Sequence, residues 1–250
     1  MSGIGTGYDL SVTTYSPDGK VFQTDYAQKA VDNSSTAMGI KCKDGVVLAV
    51  EKLVLSKLLV EGSNRRIFNI DHHAGMAVAG LQPDGRQIVN RAQDEATQYK
   101  SFYGESIPGN VLCERVASYK HAFNLYWSMR PYGVSSLLAV HDKAAGPQLY
   151  LVEPSGIAHR YYGTAVGKGR QSVKTEIERL KFDQITCRQA VVECAKTLYK
   201  VHEESGKPFE LEMSWICEES GWKHARVPAE LVAEAEQQAK AAAEESDMED

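Results

Sequence analysis

No stretch of this 250-residue chain is apolar enough to cross a bilayer: the longest run near its start, Val46 to Val50, is far short of the roughly 20 residues a spanning helix needs. No apolar leader opens the sequence, and its five cysteines (Cys42, Cys113, Cys187, Cys194, Cys217) form no Cys-x-x-Cys pair. The expectation is a soluble chain with reduced thiols, in the cytoplasm and nucleus. Seven histidines are scattered without an HExxH or paired Cys/His pattern, so no metal site and no cofactor is expected. No GxSxG elbow occurs, which leaves a conventional serine hydrolase without local support. A basic stripe is missing too. The formal charge of −5 gathers in the carboxy-terminal stretch, the body is near neutral, and neither nucleic acid nor membrane is an expected partner.

What is present is an ordinary globular composition, 43% hydrophobic and 24% charged, long enough to bury a sizeable core. Residues 1–16 are polar and Gly-rich and read as a tail that folds only if something holds it. Pro17 and Asp18-Gly19 form a turn, after which Val21, Phe22, Tyr26 and Ala30 mark one face of a helix over Val21 to Val31. Lys43-Asp44-Gly45 joins two β-runs, Ala37 to Ile40 and Val46 to Val50, as a hairpin. A second hairpin, Ile67 to Ile70 with Gly75 to Leu81, turns at His72-His73, which fits an exposed turn.

Two long helical patterns follow, separated by Ile107-Pro108-Gly109. In the second, Leu112, Val116, Tyr119, Phe123 and Tyr126 fall on one core-facing stripe. Strands are expected at Val134 to Val140, Gln148 to Val152 and Ile157 to Val166, then helices at Gly169 to Leu180 and Thr186 to His202, with Thr186 as N-cap. Phe209, Leu211, Met213 and Trp215 alternate with Glu210, Glu212 and Ser214, giving a strand with one buried face. A helix begins near Pro228, and the acidic run Glu244 to Asp250 is expected to be disordered. Such grouping of strands and helices argues for an α+β layered sandwich.

Gly163-Thr164-Ala165-Val166-Gly167-Lys168-Gly169 has the look of a phosphate loop but is one residue short between its glycines, and it lacks a hydroxyl after Lys168. It reads as a Gly-rich turn before a helix.

Tyr8-Asp9, Ser16 to Ala27, Asn33 to Gly45, Gly80-Leu81, Arg130-Pro131-Tyr132-Gly133 and Pro154-Ser155-Gly156 together closely resemble α-type subunits of the 20S proteasome. The resemblance runs from about Gly5 to Glu236. Tyr8-Asp9-Leu10-Ser11 and the acidic tail make it most similar to the eukaryotic paralogue of the seventh ring position. It implies a four-layer α-β-β-α sandwich of the amino-terminal-nucleophile hydrolase type with an extra amino-terminal helix. The implied division is a gate tail over 1–16, a sandwich domain over 17–236 and an acidic tail over 237–250. The implied role is architectural: a seven-membered ring of α-type subunits, contact with a β-type ring, pore gating, and docking of activators and a regulatory ATPase complex.

Site residues follow from the same resemblance. Tyr8, Asp9, Pro17 and Tyr26 would form a gate cluster between neighbouring subunits, although Leu10 replaces a common Arg and Thr24-Asp25 replaces Val-Glu. Arg66, Gly80 and Leu81 would form a pocket for activator carboxy termini, with Arg66 in place of the family's lysine. Ser246, followed by Asp247 and Glu249, is a candidate phosphorylation site. The alternative is an active amino-terminal hydrolase. Catalytic relatives need a threonine freed as the new amino terminus. Here the matching Ser35 lies inside the chain after Asn33-Ser34, Glu51 stands at the acidic position, and Arg66 stands at or next to the lysine position. An arginine stays protonated and cannot serve as a tunable base. No catalytic residue is expected.

Overall fold

Turn chemistry sets the first sheet in motion. Asp44-Gly45 reverses the chain between β1 (Ala37–Cys42) and β2 (Gly45–Leu53), pairing Ala37 with Val50 and Cys42 with Gly45. The second hairpin joins β3 (Ile67–Asp71) to β4 (Ala74–Gly80) at His72-His73. The remaining strands are β5 (Val134–Asp142), β6 (Gly146–Val152), β7 (Ala158–Tyr161), β8 (Gly163–Val166), β9 (Phe209–Cys217) and β10 (Ala225–Arg226). The computed structural model describes residues 7–54, 56–60, 62–202 and 208–247.

The described strands form two antiparallel five-stranded sheets, ordered β10-β9-β2-β1-β8 and β3-β4-β5-β6-β7. Helices α2 (Gln82–Tyr103) and α3 (Gly109–Ala122) cover the second sheet, while α4 (Arg170–Ile177), α5 (Cys187–His202) and α6 (Ala229–Asp247) cover the first. Between the sheets lies a third apolar cluster that includes Leu48, Val50, Leu137, Leu149 and Ile216. The α-β-β-α layering is therefore as expected. Helix α1 (Phe22–Asp32) sits at one end and contributes Val31 to the layer between the sheets.

Several local expectations shift. The single strand drawn over Ile157 to Val166 is two strands: β7 pairs with β6, and β8 pairs with β1 in the other sheet. The changeover falls at Tyr162, whose carbonyl accepts Lys41 N–H at 2.7 Å. Stacked sheets share an edge, and a chain at that edge can serve both. On α3 the stripe stops early, because the helix ends at Ala122 and Tyr126 is 57% exposed. On α1 the buried pair is Ala27 and Val31, one position on from Tyr26 and Ala30.

Helix α4 ends at Ile177 rather than Leu180. Thr186 caps α5 as expected, accepting from Gln189 N–H at 3.3 Å while Gln189 Oε1 accepts from Thr186 N–H at 3.0 Å. The alternation of β9 fails at Ser214, which is buried, because the second sheet covers that face. His73 is not on an exposed turn either, since its Nε2 pairs with the Ile107 carbonyl at 2.7 Å. Helix α6 carries the backbone through Glu244 to Asp247, where disorder was expected, while residues 248–250 lie outside the described residues.

Candidate functional site

At the end of the sandwich where β1 begins, the chain runs unbroken from α1 through Asn33-Ser34-Ser35 into the first strand. Ser34 Oγ donates to the Val31 carbonyl at 2.7 Å, and Lys168 N–H donates to the Ser34 carbonyl at 2.9 Å. The amine of Ser35 is thus a peptide nitrogen, unable to accept a proton. Glu51 is engaged: Oε2 accepts Thr36 N–H at 3.1 Å, and Oε1 lies 2.5 Å from His202 Nδ1. Its carboxylate organises the strand entry.

The amino-terminal segment is held by α1. Tyr26 Oη donates to Asp9 Oδ2 at 3.0 Å, and Gln23 Nε2 donates to the Asp9 carbonyl. Burial and the Asp9 carboxylate push the Tyr26 phenol up. The turn before α1 closes on itself, with Ser16 N–H donating to the Lys20 carbonyl at 2.9 Å and Lys20 N–H to Ser16 Oγ at 3.1 Å. Val12 is buried and anchors the segment to the body, while Leu10 and Tyr15 stay 88% and 70% exposed. Of the four expected gate residues, Asp9 and Tyr26 meet, within one chain. Tyr8 is 43% exposed and Pro17 is exposed, and neither joins that contact. Gln23 was missed; its place one helical turn before Tyr26 is the signal that would have found it.

Arg66, Gly80 and Leu81 do come together. They line a cleft of about 380 Å³ with Ala30, Ser35 and Leu53. Arg66 Nη1 reaches the Gly80 carbonyl at 3.4 Å, and its backbone N–H donates to Glu212 Oε2 at 2.9 Å. Burial pulls the guanidinium below its ordinary value, and Glu212 opposes that shift. Its Nε, buried, has no hydrogen-bond partner among the described residues. Gly80 is required here, since at φ +128° a Cβ would stand 2.1 Å from the Gly133 carbonyl oxygen. Such a cleft pairs a cation with backbone groups and an apolar rim, which suits a peptide carboxylate.

The Gly-rich turn after β8 cradles nothing. Its amides are spent inside the chain: Lys168 N–H on Ser34, and Gly169 N–H on Thr36 Oγ1 at 3.1 Å. Ser246 falls near the end of α6, outside the residues whose side chains are described. All five cysteines are free and buried. Spacing gave no hint that Cys42, Asp44 and Cys187 bring their donor atoms within 4.8 Å of one another. Asp44 Oδ1 accepts Cys187 N–H at 2.8 Å, and the contact with Cys42, then burial, push the Cys187 thiol up. The group is a packed helix start.

Two stacked antiparallel sheets between helical layers, with a polar strand entry at one end, define an α-β-β-α sandwich in which Ser35, at that entry, lies inside the chain. Residues 31–216 match the proteasome subunit family model, and residues 8–30 match the N-terminal signature of A-type proteasome subunits. The chain belongs to the proteasome subunit family. It is 61% identical over 248 residues to the proteasome alpha type-3 subunit of Spinacia oleracea and 60% identical over 248 residues to that of Arabidopsis thaliana, covering 99% of each chain in both cases. With the probable proteasome alpha type-7 subunit of Saccharomyces cerevisiae it shares 48% identity over 240 residues, 94% of this chain and 83% of that one.

Proposed function

We propose that the chain is a non-catalytic, structural and gating subunit of the proteasome's outer ring, of the alpha type-3 kind. It assembles with other α-type subunits into a seven-membered ring, stacks on the β-type ring, and offers its Arg66–Gly80–Leu81 cleft to the carboxy termini of activators and a regulatory ATPase complex. Its segment around Tyr8, Asp9 and Pro17, tied to Tyr26, belongs to the gate over the pore. It works in cytoplasm and nucleus.

The observation that carries the non-catalytic reading is Ser35 in mid-chain, its nitrogen acylated by Ser34, with Glu51 engaged by Thr36 and His202. A threonine-type peptidase needs a free amine beside its hydroxyl. Isolation of the native protein tests the proposal. It should migrate in a very large particle with different partner chains, and an electrophilic peptidase probe should label other subunits but not this one. Labelling at Ser35 or Thr36 would overturn it.

A further inference from the structure

The strand β9 is paired with β2 along its whole length, but on its other side β10 covers only Ser214 and Trp215. Val227 N–H then reaches the Met213 carbonyl at 3.2 Å, and the ladder stops. Backbone direction alternates along an antiparallel strand, so Leu211 and Phe209 point their N–H and C=O the same way as Met213, outward. No strand lies beside them among the described residues. An open edge of this kind is a template for another extended segment.

The edge is not bare surface. Phe209 to Met213 line a cleft of about 550 Å³ whose far wall is α6, through Val232, Ala233 and Glu236. Arg65 and Arg226 stand at this edge, both exposed, and among the described residues neither side chain has an ion-pair or hydrogen-bond partner. Beside it the loop before β3 exposes Leu58 and Val60 at 94% and 78%. The free edge of the second sheet, β3, is on the same side, since β3 packs against β9. Open backbone, two free guanidinium groups and bare aliphatic side chains thus share one flank of the sandwich. The other flank carries the opposite edges, β8 and β7.

We infer that this flank receives an extended, carboxylate-bearing segment of a neighbouring ring subunit, which lengthens the first sheet beside Phe209 and Leu211 and pairs its acids with Arg65 and Arg226. The inference rests on the ring role proposed above. A closed ring of side-by-side subunits needs two unlike faces on each member, and two flanks of different chemistry supply them. Main-chain pairing would give the affinity, and the arginines the choice of partner.

Hydrogen exchange on the full chain, alone and incorporated in the assembled particle, tests this. Exchange at Phe209 and Leu211 should slow by roughly tenfold or more in the particle, as a new strand ladder requires. In competition for incorporation, an Arg65→Glu/Arg226→Glu chain should lose to wild type by about tenfold, while Arg65→Lys/Arg226→Lys competes well. Both substitutions are on exposed side chains, and unchanged melting of the isolated variants would confirm that folding is intact. A particle that contains the chain yet leaves Phe209 and Leu211 exchanging at the free rate overturns the inference alone. Equal competition by the double Glu variant overturns it too. Failure of the wild-type chain to enter any particle defeats the ring reading, and this inference with it.

Discussion

The two ends of the sandwich are built on opposite plans. Where β1 begins, Ser35, Arg66, Gly80 and Leu81 border an open cleft, and the cation there keeps a buried nitrogen without a partner among the described residues. At the turn end, the β9–β10 connection folds over and ties the sheets together. His224 Nε2 meets Ser214 Oγ at 2.9 Å in one sheet, and its Nδ1 meets Asn69 Oδ1 at 3.1 Å in the other. Trp222, held at φ 60°, stacks on His141 with ring centroids 4.2 Å apart. One end keeps an open cleft beside Ser35, and the other is fastened, so the fastened end helps to hold the two sheets in register.

The sharpest way to break that contrast is at Gly75. A Cβ there would lie 2.1 Å from the His224 ring, so Gly75→Val should cost about 3 kcal/mol or more in denaturant unfolding. A cost below about 1 kcal/mol would mean that the turn end is not fastened. Next in size, His224→Ala strands the buried Ser214 hydroxyl and should cost about 2 kcal/mol, with Asn69→Ala costing less because Asn69 is exposed.

Protonation separates the ends as well. Burial lowers His224 to about 4 from an ordinary 6.5. Between those values the unfolded chain binds more protons than the folded one, so stability should fall as pH drops from about 6.5 towards 4, and His224→Gln should flatten that limb. At the open end the buried amine of Lys120, held by the Val134 and Val152 carbonyls at 3.0 and 2.9 Å, is lowered by burial to about 7, with Cys113 and Glu153 opposing. The same sign applies in another window: stability should rise with pH from about 7 to 10.5, and Lys120→Met should remove the slope. Thermal melts across pH resolve the two limbs.

Changes at the open mouth should matter least to folding and most to partners. Arg66→Glu is expected to shift unfolding by about 1 kcal/mol or less while abolishing capture of activator carboxy-terminal peptides by reconstituted particles. Unchanged capture would remove the pocket assignment. Smallest is Tyr26→Phe, which deletes the bond to Asp9 and should leave global unfolding nearly unchanged, with faster hydrogen exchange confined to the segment before α1.

Much of this was legible in the chain itself. Both hairpins carry their turn residues at the reversal, the N-cap of α5 is a Thr with Gln three residues on, and apolar spacing marks the helices. The resemblance named Arg66, Gly80 and Leu81 together, and the fold brings them to one cleft, although nothing local says that Arg66 and Gly80 touch. Of the four expected gate residues, Asp9 and Tyr26 meet within one chain, with Gln23 added, because which groups meet there depends on how the segment packs on α1.

By itself, the sequence determined the local periods, the turns and the mid-chain place of Ser35, whose nitrogen is that of a peptide bond. Only the tertiary structure decided that residues 157–166 serve two sheets, that His224 fastens one end, and that β9 is left with an open edge. Local pattern records how a segment pairs with water or core, whereas these features depend on which distant segment arrives beside it, and no period of 2 or 3.6 encodes that.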